Sequence, residues 1–458
     1  MQRRDFLASV LLGGPLARFC AGADEPPLRI ATFEADVTPP LGSPLCVGLV
    51  TPAKEILDPL SARGIVLLGR QPPIVLCAVD WVMIANAAHD AWREALARAV
   101  GTTADRVAVH VVHQHNAPGV DYSAEKIMAA HGLPDRMYDK TFAEESLARV
   151  ARAAGQAVKR ASRVTHVGHG MGKVEKVAST RRVFNPDGTL RFWRSSSGGS
   201  KEKKAAPEGL IDPYVRLVSF WDGDRPLASL TYYACHPCAL YGRGGVSSEI
   251  MGLARAARQA ALPEVAHVHF NGAGGDIAVG KYNDNTLATR SRLAKRLAAG
   301  MKAAWETQQK VPVAAADVTW RTHPVALPIR KRMTEQWCLA RIDNVKHHVN
   351  QRSKAARHLA WLRRTQAGHK IVLSCLRVGP TYTLHMPGEL FVEYQLAAQK
   401  MRPDDFVSMA AYGDLGPTYI GTKLLHQQGG YEAGRSCTAP EVENVLMAAM
   451  RDLLKVKP

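Results

Sequence analysis

Residues 106–119 read RVAVHVVHQHNAPG. The apolar, β-branched run over 106–113 has the composition of a buried strand, and Asn116-Ala117-Pro118-Gly119 breaks it with a turn. Just upstream, residues 87–100 carry helical periodicity, with Asn86 placed to cap the helix and Gly101 to terminate it. Residues 74–82 before that helix form another apolar strand-like run. The same alternation recurs outward. Strands are expected at 63–68, 215–221, 227–234, 265–270, 371–378 and 406–412, and further helices at 142–160, 249–260 and 287–306. This interleaving predicts an α/β fold, one large domain over residues 24–458 with mixed sheets and flanking helices. The Lys/Ser/Gly-rich stretch 195–209 reads as an exposed loop inside it.

The same quoted stretch carries chemistry. In an extended strand His113 and His115 share one face, about 6.6 Å apart along the backbone, while His110 faces the other way. Two imidazoles where a buried strand meets a turn can hold or flank a divalent metal, or can be satisfied core histidines. His267-Val268-His269 shows how easily such a pair arises.

The chain has 458 residues, 46% of them hydrophobic and 22% charged, an ordinary globular balance. The first 23 residues predict a twin-arginine-type export signal: Arg3-Arg4 opens it, an apolar run from Phe6 to Ala17 follows, and Ala21-Gly22-Ala23 ends it. That run is too short to span a bilayer, so an exported periplasmic or secreted protein without a transmembrane segment is expected. The net charge of +18 is concentrated in part at 341–370, read as a helical segment with eight Lys/Arg against Asp343 alone. It can be a solvated face or a contact for an anionic surface. No recognition motif or stacking platform accompanies the charge, so nucleic acid is not an expected partner. Cys235-His236-Pro237-Cys238 lacks the helix start that a reactive CxxC needs, so these cysteines read as packing or a local disulfide, with a CxxC oxidoreductase a distant alternative.

Four more segments join the histidine pair. Tyr233-Ala234-Cys235-His236 ends an apolar strand ahead of Val246-Ser247-Ser248-Glu249, which leads into a helix. Asn271-Gly272-Ala273-Gly274-Gly275-Asp276 is a glycine-rich loop where backbone can approach a ligand closely. Pro387-Gly388-Glu389 ends a strand and is expected to place a carboxylate in the first turn of a helix from Leu390. Tyr419-Ile420-Gly421-Thr422 precedes Gly430-Tyr431-Glu432.

In this order the segments resemble the zinc-dependent catalytic domain of the neutral (non-lysosomal) ceramidases. The family's H-T-H-S-x-P-G corresponds to His113–Gly119, its F-A-x-H to Tyr233–His236, its V-S-S-D to Val246–Glu249, its P-G-E to Pro387–Glu389, and its Y-x-T-T…Q-Y-E to Tyr419–Thr422 and Gly430–Glu432. The resemblance runs from near Ala35 to about Gly434, most of the chain. It implies one Zn²⁺ per chain held by His113, His236, Glu389 and Tyr419. His115, Tyr431 and Arg181 would contact the substrate, and Gly274, Asp276 and Ala278 would lie on a substrate loop. Two departures stand out. Ala278 replaces a serine of the family's loop, and after Gly434 only a helix over 440–454 is expected, where the family adds an immunoglobulin-like domain. The resemblance thus implies an exported zinc-dependent hydrolase of an amide or related acyl bond, acting on a lipid-like N-acyl substrate. The alternative is a binding protein that keeps the metal pocket and has lost turnover.

Overall fold

Three strand–helix–strand units organise the chain, seen in a computed structural model that describes residues 26–456. The expected export signal lies outside the described residues. In the first unit, strands Ile74–Val79 and Val107–Val111 run parallel, with helix Ala87–Val100 crossing between them. In the second, Arg225–Tyr233 and Ala266–Asn271 are parallel and helix Glu249–Ala261 connects them. In the third, Thr381–His385 and Phe406–Ala410 are parallel around helix Val392–Met401. A parallel pair needs such a crossover, because a tight turn can join only antiparallel neighbours.

Each unit forms one edge of a mixed sheet whose other strands are antiparallel. The first sheet runs Val107–Val111, Ile74–Val79, Ser61–Leu68, Arg29–Asp36, Ser162–Arg163, and the second runs Ala266–Asn271, Arg225–Tyr233, Tyr214–Asp222, His166–Lys173, Gln309–Pro312. The third runs Val318–Val325, Ile371–Val378, Thr381–His385, Phe406–Ala410. The α/β class with mixed sheets and flanking helices is therefore as expected.

The three parallel edges meet at their carboxyl ends. Val111 N–H donates to the Tyr412 carbonyl at 3.0 Å, and Ala411 N–H donates to the Asn271 carbonyl at 3.0 Å. Asn271 Nδ2 closes the ring on the Val112 carbonyl at 3.3 Å. In open α/β sheets this end of the strands is where ligands bind, and every candidate ligand follows one of these strands. Two apolar clusters support the arrangement. One is built around Trp81, Trp92 and Trp361, the other around Phe220, Tyr233 and Phe270.

Several expectations need correction. Asn86 occupies the cap position of helix Ala87–Val100, but its Nδ2 donates to Asp121 Oδ2 at 2.8 Å instead of its side chain capping the helix. Gly101 does end the helix, in the left-handed region at φ 74°. The segment 341–370 is not one helix: Glu335–Ile342 stops at Asp343 and Val349–Gln366 begins after His348. Its charge is partly neutralised, since Arg363 Nε reaches Glu335 Oε1 at 3.1 Å and Arg364 Nη2 reaches Asp90 Oδ2 at 2.8 Å. Residues 195–209 contain a short helix, Lys201–Ala205. No helix among the described residues is long and apolar enough to cross a membrane.

Candidate metal centre

His113 does not lie in a strand. The strand ends at Val111, and His113 turns into the left-handed region at φ 73°, its N–H held on the Trp81 carbonyl at 2.9 Å. This kink, a costly conformation for a residue with a Cβ, brings the His113 and His115 rings to 4.8 Å at 81°, where a straight strand would have left them side by side. His236 follows Arg225–Tyr233, and its ring sits 4.9 Å from His113 and 5.5 Å from His115. The three histidines offer nitrogen atoms within 4.8 Å of one another.

Glu389 completes the group, with Oε2 at 3.1 Å from His236 Nε2 and 3.5 Å from His113 Nε2. It is not in a helical turn, as the sequence suggested. Glu389-Leu390 forms a short strand parallel to Tyr419-Ile420, with Glu389 directly opposite Tyr419. The helix starts only at Val392, and its first N–H is taken by Asp276 Oδ1 at 3.1 Å. Asp276, expected on a substrate loop, accepts this N–H at the start of the helix.

The hydrogen bonds fix how the imidazoles face. His113 Nδ1 lies 2.6 Å from the Val82 carbonyl and His236 Nδ1 lies 2.7 Å from the Gly274 carbonyl. A carbonyl only accepts, so each Nδ1 carries the proton and each Nε2 points a lone pair inward. His113 Nε2, His236 Nε2 and Glu389 Oε2 are all buried, and none has a hydrogen-bond partner. Burial pushes His236 down to about 4.

Three inward-facing acceptors with no donor are expensive unless a cation joins them. Nitrogen and oxygen ligands about 2.0–2.2 Å from a tetrahedral ion lie roughly 3.3–3.5 Å apart. The 3.5 Å separation lies in this range and the 3.1 Å one just below it. The donor set fits a divalent metal, and imidazole with carboxylate suits zinc.

Tyr419 stacks its ring on His236 at 6.1 Å and 9°. Its hydroxyl accepts from Arg181 Nη1 at 3.1 Å. Burial pushes the phenol up while the guanidinium pulls it back. Burial would lower Arg181, but Tyr419, Glu432 and Tyr431 raise it further, so it stays a cation. The Arg181 guanidinium lies 4.6 Å over Trp193 and 5.3 Å over Tyr431, whose rings are 4.8 Å apart. Buried Glu432 anchors this stack, taking Trp193 Nε1–H at 2.6 Å on Oε1. Tyr431, 38% exposed, forms the rim.

The sequence pointed to neither Trp193 nor Tyr412. The Tyr412 ring lies 4.7 Å from His113, tilted by 32°, and its hydroxyl is 3.3 Å from His236 Nδ1. Its one sequence signal is its position at the end of the strand expected over 406–412. The glycine loop lies behind the ligands. A Cβ on Gly275 would fall 2.2 Å from the Glu389 carbonyl, and buried Ala278 bridges the His236 strand. Cys235 and Cys238 are free and buried, with no disulfide between them. Burial pushes both thiols up, the reverse of what a redox pair needs.

No known family profile matches the sequence, and no curated protein matches it. Solved structures do. A neutral ceramidase from Pseudomonas aeruginosa superposes with a TM-score of 0.67 at 15% identity, over 94% of this chain and 75% of that one. The fold is neutral-ceramidase-like. A ceramidase complexed with C2 gives 0.68 at 14% identity, over 94% and 76% of the two chains. At such identities the ceramidase-like likeness establishes the architecture, and it agrees with the one implied by the ordered motifs.

Proposed function

We propose that the protein is an exported zinc-dependent hydrolase of an amide or related acyl bond, ceramidase-like in its chemistry. The observation that carries this reading is the convergence of three buried, partnerless acceptors, His113 Nε2, His236 Nε2 and Glu389 Oε2, beside the Arg181–Tyr419 pair. His113, His236, Glu389 and Tyr419 are the residues that would hold the zinc. Bound there, zinc supplies Lewis acidity toward a carbonyl oxygen and toward water.

The chain's own groups do the rest. Burial and the neighbouring His113 and His236 keep His115 well below its ordinary value, hence neutral, and its Nδ1 is free of partners. It can take a proton from water and return it to the leaving nitrogen, so that amide and water become acid and amine. Arg181 keeps its charge facing Tyr419 and favours negative charge there. Tyr431 can donate to the developing oxyanion from the rim, and its stack with Trp193 gives an apolar wall for an acyl chain. The Val392 cap made by Asp276 and the close fit of Gly275 hold Glu389 in place.

The test is metal content with turnover. The purified protein should hold about one zinc per chain and hydrolyse members of an N-acyl panel. His236→Ala and Glu389→Ala should each lose zinc and activity while remaining folded. Full zinc occupancy in both variants would overturn the assignment. Ala278, which lacks the family's serine hydroxyl, favours the second reading of a pocket without turnover. Zinc binding with no hydrolysis across the panel would select it. Export is tested by finding a mature N-terminus close after Ala23.

A further inference from the structure

On helix Val349–Gln366 Arg352 donates to the Ile342 carbonyl, and the other four Lys/Arg fall into two groups. Arg363 and Arg364, near its end, have Glu335 and Asp90 as partners. Lys354 and Arg357, one turn apart on the same helix, have no ion-pair partner among the described residues, and Arg435 has none either. These three cations gather in one place. Lys354 and His358, on either side of Arg357, both feel the Arg435 charge, and Arg357 Nε is buried without a partner. The acidic group whose field most supports Arg357 is Asp121, and both of its carboxylate oxygens are already taken, by Ala124 N–H at 3.0 Å and Asn86 Nδ2 at 2.8 Å.

The cluster borders the site. The Arg435 guanidinium lies 4.9 Å over the Tyr431 ring, and Tyr431 lies 6.0 Å from Tyr419. Arg357 feels the field of Glu389 itself. Tyr241, 41% exposed, stands 5.8 Å from His115 and feels both Tyr431 and Arg435. Burial, Arg435 and Arg357 together push Lys354 down to about 8, the signature of cations crowded without a counter-charge. Half-buried like charges with no internal partner raise the energy of the empty protein, and an anion relieves it.

We propose that Lys354, Arg357 and Arg435 form an anion-recognising subsite at the mouth of the metal centre, selecting N-acyl substrates that carry a carboxylate or comparable anionic group near the scissile bond. This rests on the hydrolase reading above and narrows it: a neutral amino-alcohol amide would leave the cluster unanswered. Hydrolysis of an N-acyl amino acid balances as before, with water consumed and a fatty acid and a free amino acid released.

The experiment compares N-lauroylglycine with uncharged N-lauroylethanolamine on the zinc-loaded protein. The kcat/KM for the glycine conjugate should exceed that for the ethanolamine conjugate by about tenfold or more, the usual worth of a charge-assisted contact. Arg435→Gln and Lys354→Gln should each reduce that ratio severalfold while retaining zinc. A ratio near one, or one that both variants leave unchanged, overturns the subsite and leaves the hydrolase reading standing. If neither conjugate is hydrolysed, the hydrolase reading falls and calorimetric binding decides the subsite alone. Tighter binding of N-lauroylglycine, weakened in Arg435→Gln, supports it, and equal affinity for the two overturns it.

Discussion

Arg181 is enclosed on every side that matters: Tyr419 at its Nη1, Glu432 3.4 Å from its Nε, and the faces of Trp193 and Tyr431 against its plane. A planar, permanently charged fork suits that enclosure, and a lysine ammonium does not. Arg181→Lys and Arg181→Met should therefore each lower kcat/KM by roughly 10²–10³, the cost of losing one preorganised donor, with zinc stoichiometry unchanged. Steady-state kinetics beside metal analysis checks this. Ala278 is a milder case. It is 1% exposed and paired across from Ser179, so a serine hydroxyl there enters an already closed bridge. Ala278→Ser should alter hydrolysis by no more than about tenfold, and a gain of several hundredfold would identify the missing hydroxyl as a catalytic defect. At this scale the sequence disclosed His113, His236, Glu389 and Tyr419, because each stands in a short motif. Trp193 and Tyr412 were silent because their roles are ring contacts that depend on distant neighbours and leave no local pattern, and Glu432, though inside a quoted motif, gave no sign that it anchors Trp193.

Each strand–helix–strand unit contributes a loop, and the loops are spaced by backbone contact. Gly275 shows the tolerance: a methyl group there meets the Glu389 carbonyl at 2.2 Å and the Leu390 carbonyl at 2.9 Å, both backbone atoms that cannot swing aside. Gly275→Ala should weaken zinc binding by at least tenfold through displacement of Glu389, measured by competition with a chelator. Glu249, opening helix Glu249–Ala261, holds the chain just beyond His236 by accepting Ala239 and Leu240 N–H, each at 2.9 Å. Burial raises its carboxyl from 4.5 to about 7. Between those values the folded chain keeps a proton that the unfolded chain releases, so this group's contribution is complete below 4.5 and is lost as pH climbs through 7. Glu249→Gln should flatten that part of the stability–pH curve in denaturant titrations. The helices expected over 87–100, 142–160, 249–260 and 287–306 were all found within two residues at each end, whereas the helical reading of 341–370 split into two. The strand His166–Lys173 escaped because three of its residues are glycines, which depress strand propensity. Their purpose is tertiary: a Cβ at Gly170 or Gly172 would strike the Ala304 or Gly300 carbonyl of helix Leu287–Glu306, which lies directly on the strand.

The proposed metal is not expected to hold the fold together. Two apolar clusters lie among three sheets whose edges are stitched by backbone hydrogen bonds through Asn271 and Tyr412. Bound metal adds only the linkage term, about 4 kcal/mol at a thousandfold excess over Kd. Chelation should therefore abolish turnover and lower the unfolding midpoint, yet leave the far-ultraviolet circular dichroism at room temperature unchanged. Collapse of the spectrum on chelation would show the metal to be structural. What the sequence could not display at this scale was the convergence of the three parallel edges, since residues 111, 271 and 412 meet only in the finished fold. That convergence also bears on the order of biosynthesis. A nascent chain presents His113 and His236 early, but the carboxylate and phenol opposite each other on Glu389-Leu390 and Tyr419-Ile420 arrive more than 150 residues later. Two imidazoles without that last strand pair make a poor cage, so capture of the proposed metal would report that the chain has been made and folded through Tyr419.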